Sequence, residues 1–170
     1  MRIVLAFFLT VALVAGCNTA HQASVTLASG VRVSLAVSGM FSLQSDWHRT
    51  LIVEHRGEII TRELSEDTGW WRGSNLYLAE AGLFVLDEGQ AGCIAFRLDP
   101  VRFDDEAARC RARRQLLTTE EASGKDDNTR SFVYPGMRYL GRFAETLDDR
   151  ARVEFISAGE APEVRLPDPL

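Results

Sequence analysis

Few side chains in this sequence stand at spacings that chemistry demands. Of the three histidines, His21, His48 and His55, only His48 has an acid at strand spacing, in Ser45-Asp46-Trp47-His48-Arg49. Asp46 could orient the imidazole for acid–base work. However, residues two apart on a strand share a face whatever their role, and no nucleophile accompanies the pair. The Gly-Xaa-Ser-Xaa-Gly, His-Glu-Xaa-Xaa-His, phosphate-loop and dinucleotide patterns are absent. A hydrolase using His48 and Asp46 is therefore one reading, but the balance leans away from an enzyme.

Gly69-Trp70-Trp71-Arg72-Gly73 offers a different chemistry. Trp70, Trp71 and Arg72 form a candidate binding surface, since indoles stack on sugars or lipid headgroups. Neighbours on a strand point to opposite faces, so one indole is expected in the core. Asp104-Asp105-Glu106 and Asp126-Asp127-Asn128 hold the carboxylates that Ca²⁺ prefers, but neither matches an EF-hand loop. The first is better explained as a helix start and the second as a solvated turn. No metal and no cofactor are expected. Arg109, Arg111, Arg113 and Arg114 could meet anionic lipid or polysaccharide. A helix would split them between two faces, which favours a solvated helix end.

The amino terminus is more specific. Arg2 is followed by Ile3 to Ala15, apolar throughout except Thr10. Those 13 residues make a helix of roughly 20 Å, short of the about 20 residues that span a bilayer core. The stretch suits the apolar region of a secretion signal. It ends in Leu13-Val14-Ala15-Gly16-Cys17, which resembles the lipobox of bacterial lipoproteins. The resemblance covers residues 1–17 alone. It implies cleavage after residue 16, lipid on Cys17 and a membrane partner reached through that lipid. Two or more acyl chains anchor stably, at about 0.8 kcal/mol per buried methylene. Asn18 stands where an Asp commonly marks inner-membrane retention. The resemblance therefore implies the outer membrane, facing the periplasm.

Cleavage would remove one of the 19 Lys+Arg, leaving 18 against 24 Asp+Glu, a net of −6. An acidic domain is a poor nonspecific nucleic-acid binder, so no nucleic-acid partner is expected. With Cys17 acylated, Cys93 and Cys110 are left as an even pair in an oxidising compartment, which reads as a disulfide. Closing that loop of about 17 residues contributes about 3 kcal/mol on a chain-entropy basis.

The elements that must position these groups follow period-two patterns broken by glycine turns. Hairpins are expected from 24–27 with 31–37, from 51–55 with 58–62, and from 75–79 with 83–86. Leu83-Phe84-Val85-Leu86 is apolar on both faces and suits a central strand. Further strands are expected at 91–98, broken by Asp99-Pro100, then at 132–134, 138–143 and 153–156. Acid first and base last predict a short helix near 104–114. The fold class is thus mainly β: an antiparallel meander forming a sandwich or partly closed barrel, with one short helix. The expected domains are a signal peptide at 1–16, a tether at 17–24, one globular domain at 25–158 and an irregular tail at 159–170. The expected function is a non-enzymatic binding or accessory module for an envelope protein or glycan. An immunity-type lipoprotein that neutralises a periplasmic toxin, or an envelope hydrolase using His48 and Asp46, are the alternatives.

Overall fold

The computed structural model describes residues 21–39, 47–65, 71, 73–79, 82–89, 92–104, 115–116, 132–134, 136–146, 152–164 and 166. Twelve strands are described: β1 His21–Thr26, β2 Arg32–Gly39, β3 Trp47–His55, β4 Glu58–Glu63, β5 Ser74–Leu78, β6 Phe84–Asp87, β7 Cys93–Leu98, β8 Val101–Asp104, β9 Gln115–Leu116, β10 Phe132–Val133, β11 Arg138–Glu145 and β12 Val153–Ser157. They form two main antiparallel sheets. One is the meander β1-β2-β3-β4, and the other runs β12-β11-β5-β6-β7-β8, while β9 and β10 pair separately. No described helix is long and apolar enough to cross a membrane.

Alternation explains why the sheets stack. Val33, Leu35 and Val37 of β2 and Leu51 and Val53 of β3 are buried, while Glu54 between the strands' inward positions is exposed. From the second sheet, Leu76, Phe84, Leu86, Ile94, Phe96 and Phe143 join the same core. Phe84 and Phe96 stack at 5.1 Å across β6 and β7, an arrangement worth about 1 kcal/mol beyond its buried area. Each of Phe84, Val85, Leu86 and Asp87 is buried, as the apolar run predicts for a central strand. β1 lies beside β12 and β4 beside β8, yet the sheets stay separate, so the molecule is a sandwich and not a barrel. On the β4–β8 side, the Arg62 guanidinium lies 4.4 Å above the Phe103 ring.

The turns are of the kind the sequence specifies. Arg56 (φ 51°) and Gly57 (φ 83°) are both left-handed. That two-residue turn matches the strand twist and holds the His55↔Glu58 register. Three expectations change. The tether does not reach residue 24, because His21 already pairs with Val37 and Ser24 with Ser34 in β1–β2. The Ser24 and Ser34 hydroxyls are hydrogen-bonded at 2.8 Å, so this polar stretch is an edge strand and not free chain. Asp99-Pro100 ends β7 but serves as the turn into β8, whose Val101 and Phe103 alternate with Arg102 and Asp104. Asp104 consequently closes a strand instead of opening a helix, and the rest of the expected helix, 105–114, lies outside the described residues.

Candidate functional site

Registers sort the loops into two groups. At one end lie the β1–β2 turn, the Arg56-Gly57 turn, the β5–β6 and β7–β8 connections, the start of β11 and the end of β12. At the other end, where β1 begins, residues 64–65, 71, 73–74, 87–89 and 92 come together.

That second end holds a buried polar node built on Arg49. Arg49 is in phase with Leu51 and Val53 on β3 and is 2% exposed, among the largest fully buried side chains. Its Nη1 donates to the Glu88 carbonyl and its Nη2 to the Ser65 carbonyl, both at 2.8 Å. The Ser65 backbone N–H donates to Glu88 Oε2 at 2.7 Å. Trp71 Nε1 donates to Ser74 Oγ, whose hydroxyl donates to the Glu88 carbonyl. The guanidinium sits 5.5 Å from the Trp71 ring. The guanidinium is thus buried and held by backbone carbonyls, and burying a charge costs desolvation unless such bonds satisfy it. This node joins the two sheets.

Trp71, one of the candidate binding residues, is a structural part of that node and is buried. It cannot present its indole to a ligand. Trp70 and Arg72 lie outside the described residues. His48 is exposed and faces away from the core, opposite Ser38 of β2, and Asp46 lies outside the described residues. Cys93 opens β7 half-buried and is engaged in a contact, whereas Cys17 and Cys110 lie outside the described residues. So do Arg109, Arg111, Arg113, Arg114 and 126–128. Among the described residues, no group of three His, Cys, Asp or Glu could hold a metal ion.

A second polar cluster covers the outer face of β5. The ring centroids of Tyr134 and Tyr139 lie 4.7 and 5.8 Å from that of Tyr77. The Tyr77 hydroxyl donates to Glu163 Oε1 at 2.8 Å, and Asn75 Nδ2 donates to the Val164 carbonyl at 2.7 Å. Tyr134 OH donates to Asp87 Oδ2. Residues 163–164 therefore lie on this face as a strap, and Leu166 just after them is buried. Burial, and then the Glu163 charge, push the Tyr77 phenol far above its usual range. Its folded-state value lies above the unfolded one. The stabilisation is therefore intact below about pH 10 and falls as pH rises further, at about 1.4 kcal/mol per unit. Urea unfolding at about pH 9 and about pH 11 should show this loss, and Tyr77→Phe should reduce it. Parallel losses in the two proteins would refute the assignment to Tyr77.

At the first end, the two sheets leave a cleft of about 680 Å³ between Leu27, Leu78, Phe84, Leu98 and Leu140. Arg97, Asp99 and Arg138 also border it. Leu140 reaches it through a bulge: Tyr139 pairs with Tyr77 and Gly141 with Leu76, leaving Leu140 as the extra residue. The sequence reading missed this cleft, because no single strand carries its signal. No protein-family model, curated protein or solved structure matches the chain.

Proposed function

We propose that this chain is a lipid-anchored envelope protein whose β-sandwich is a non-enzymatic binding module, held by acylated Cys17 at the periplasmic face of the outer membrane. The observation that carries the reading is the placement of two features at opposite ends. The chain enters β1 at the Arg49 end, four residues after Cys17, so an anchored domain would sit with that end toward the membrane. The cleft opens at the other end, where a partner in the periplasm could reach it. A preformed cleft with mostly apolar walls and a few polar groups is the common form of a binding site. Those walls suit an apolar ligand, or the apolar side chain of a protein partner, better than a glycan. Pairing of Cys93 with Cys110 belongs to the same reading, because an exported chain meets an oxidising compartment.

The test uses the full chain expressed in a Gram-negative host. The wild type should sediment with membranes and yield a tri- or diacylated peptide beginning at Cys17. It should also yield a peptide pair joined through Cys93 and Cys110. Cys17→Ser should move most of the protein to the soluble fraction, since one lipid-bearing residue supplies all the membrane affinity. An unchanged distribution and an unmodified N-terminal peptide would overturn the anchor.

A further inference from the structure

We propose that the cleft binds a long-chain fatty acid anion, its hydrocarbon chain lying between Leu27, Leu78, Phe84, Leu98 and Leu140 and its carboxylate on the guanidinium of Arg138. The proposal rests on the binding-module reading and names its ligand class, but does not depend on the anchor. Two observations carry it.

The first is wall chemistry. Four leucines and one phenylalanine line a space of about 680 Å³, within the roughly 300–1,000 Å³ of small-molecule sites. Ser29, Tyr139 and Ser157 also border it, but three hydroxyls are too few for a sugar, and each buried group left unpaired costs about 1–3 kcal/mol. A hydrocarbon chain leaves none.

The second is charge. The whole chain carries a net −5, yet the border of the cleft has Arg97 and Arg138 against Asp99 alone. A lip opposite in sign to the molecule favours an anionic head over a neutral or cationic one. Arg97 is already engaged by Asp104 at 3.6 Å, which gives the head to Arg138, exposed at the first position of β11. A guanidinium takes a carboxylate through two parallel hydrogen bonds.

The test uses the full chain carrying Cys17→Ser, free of detergent, titrated with dansyl-undecanoic acid and then with palmitate. Saturable blue-shifted emission, one probe per chain, displaced by palmitate, is expected. Arg138→Glu, a change at an exposed position, should weaken palmitate about tenfold or more and leave hexadecanol nearly unaffected. Leu140→Glu should abolish both while the strand circular dichroism persists. Unchanged palmitate affinity in Arg138→Glu overturns the head-group assignment, whether or not Leu140→Glu folds. Tighter binding of lysophosphatidylglycerol than of palmitate overturns the fatty acid. If the probe binds and Leu140→Glu removes it, but palmitate does not compete, the binding-module reading survives and this one falls. If no probe binds at all, both fall, while the fractionation of Cys17→Ser still reports on the anchor.

Discussion

Replacing Arg49 with methionine should lower the stability of the domain by about 2–4 kcal/mol. Methionine nearly matches arginine in length, and its burial would recover about 1–2 kcal/mol of apolar transfer energy. Against this stand the Ser65 carbonyl, which loses its donor, and the Glu88 carbonyl, which keeps only the Ser74 hydroxyl. In addition, the Trp71 ring loses the cation 5.5 Å from its centroid. A hydrogen bond to a charged group contributes about 1.5–3 kcal/mol, so the two losses exceed the gain. Trp71, which lies against the guanidinium, gives a local fluorescence probe. Urea unfolding followed by that fluorescence and by circular dichroism should show a lower midpoint with an unchanged slope. Arg49→Lys should recover part of the loss, because an ammonium can still donate to one of the two carbonyls. An Arg49→Met variant as stable as the wild type would show that the node is not what ties the sheets together.

Arg49 also shows how far the sequence could be read. The alternation of β3 puts 49, 51, 53 and 55 on one face, and Arg49 precedes the inward Leu51 by two. Its burial was therefore legible in principle, but a charged residue at an inward position has meaning only once its partners are known. Those partners, Ser65 and Glu88, come from loops 16 and 39 residues away. The hairpins were legible for the opposite reason. The Arg56-Gly57 turn and the strands beside it are contiguous in sequence, so local pattern and local geometry coincide. Asp99-Pro100 signals a stop and so hides β8, although Val101-Arg102-Phe103-Asp104 repeats the strand alternation immediately after it. His21 looks like tether in sequence because polar residues dominate an edge strand, where only one side is paired and one face is wet. The Trp70-Trp71 pair drew attention as chemistry, and Trp71 proved to be architecture. The cleft was out of reach altogether, since its five apolar walls come from five separate segments of chain.

Gly141→Ala should cost about 3 kcal/mol or more, roughly twice the cost of the same change at Gly57. Both glycines have positive φ, 147° and 83°, and alanine at such an angle costs on the order of 1–2 kcal/mol by conformation alone. At Gly57 a new Cβ meets nothing within 4 Å, so conformation is the whole cost. At Gly141 it would stand 2.5 Å from the Ile156 carbonyl oxygen and 2.5 Å from the edge of the Phe155 ring. The carbonyl belongs to the neighbouring strand and cannot retreat without opening the Gly141↔Ser157 and Arg142↔Ile156 pairs. Phe155 cannot swing away freely, because it packs edge-on at 4.9 Å against the buried Phe143. Overpacking against backbone adds typically 1–3 kcal/mol. The effect should extend beyond stability, since bulges set the direction of the residues beside them and Gly141 closes the bulge that aims Leu140 into the cleft. In the fraction that stays folded, Gly141→Ala should therefore weaken dansyl-undecanoate binding, whereas Gly57→Ala should leave it unchanged. Equal losses of stability in the two alanine variants, measured by urea midpoint, would mean that β12 yields to the new methyl group and that the close approach of Phe155 is not what requires a glycine at 141.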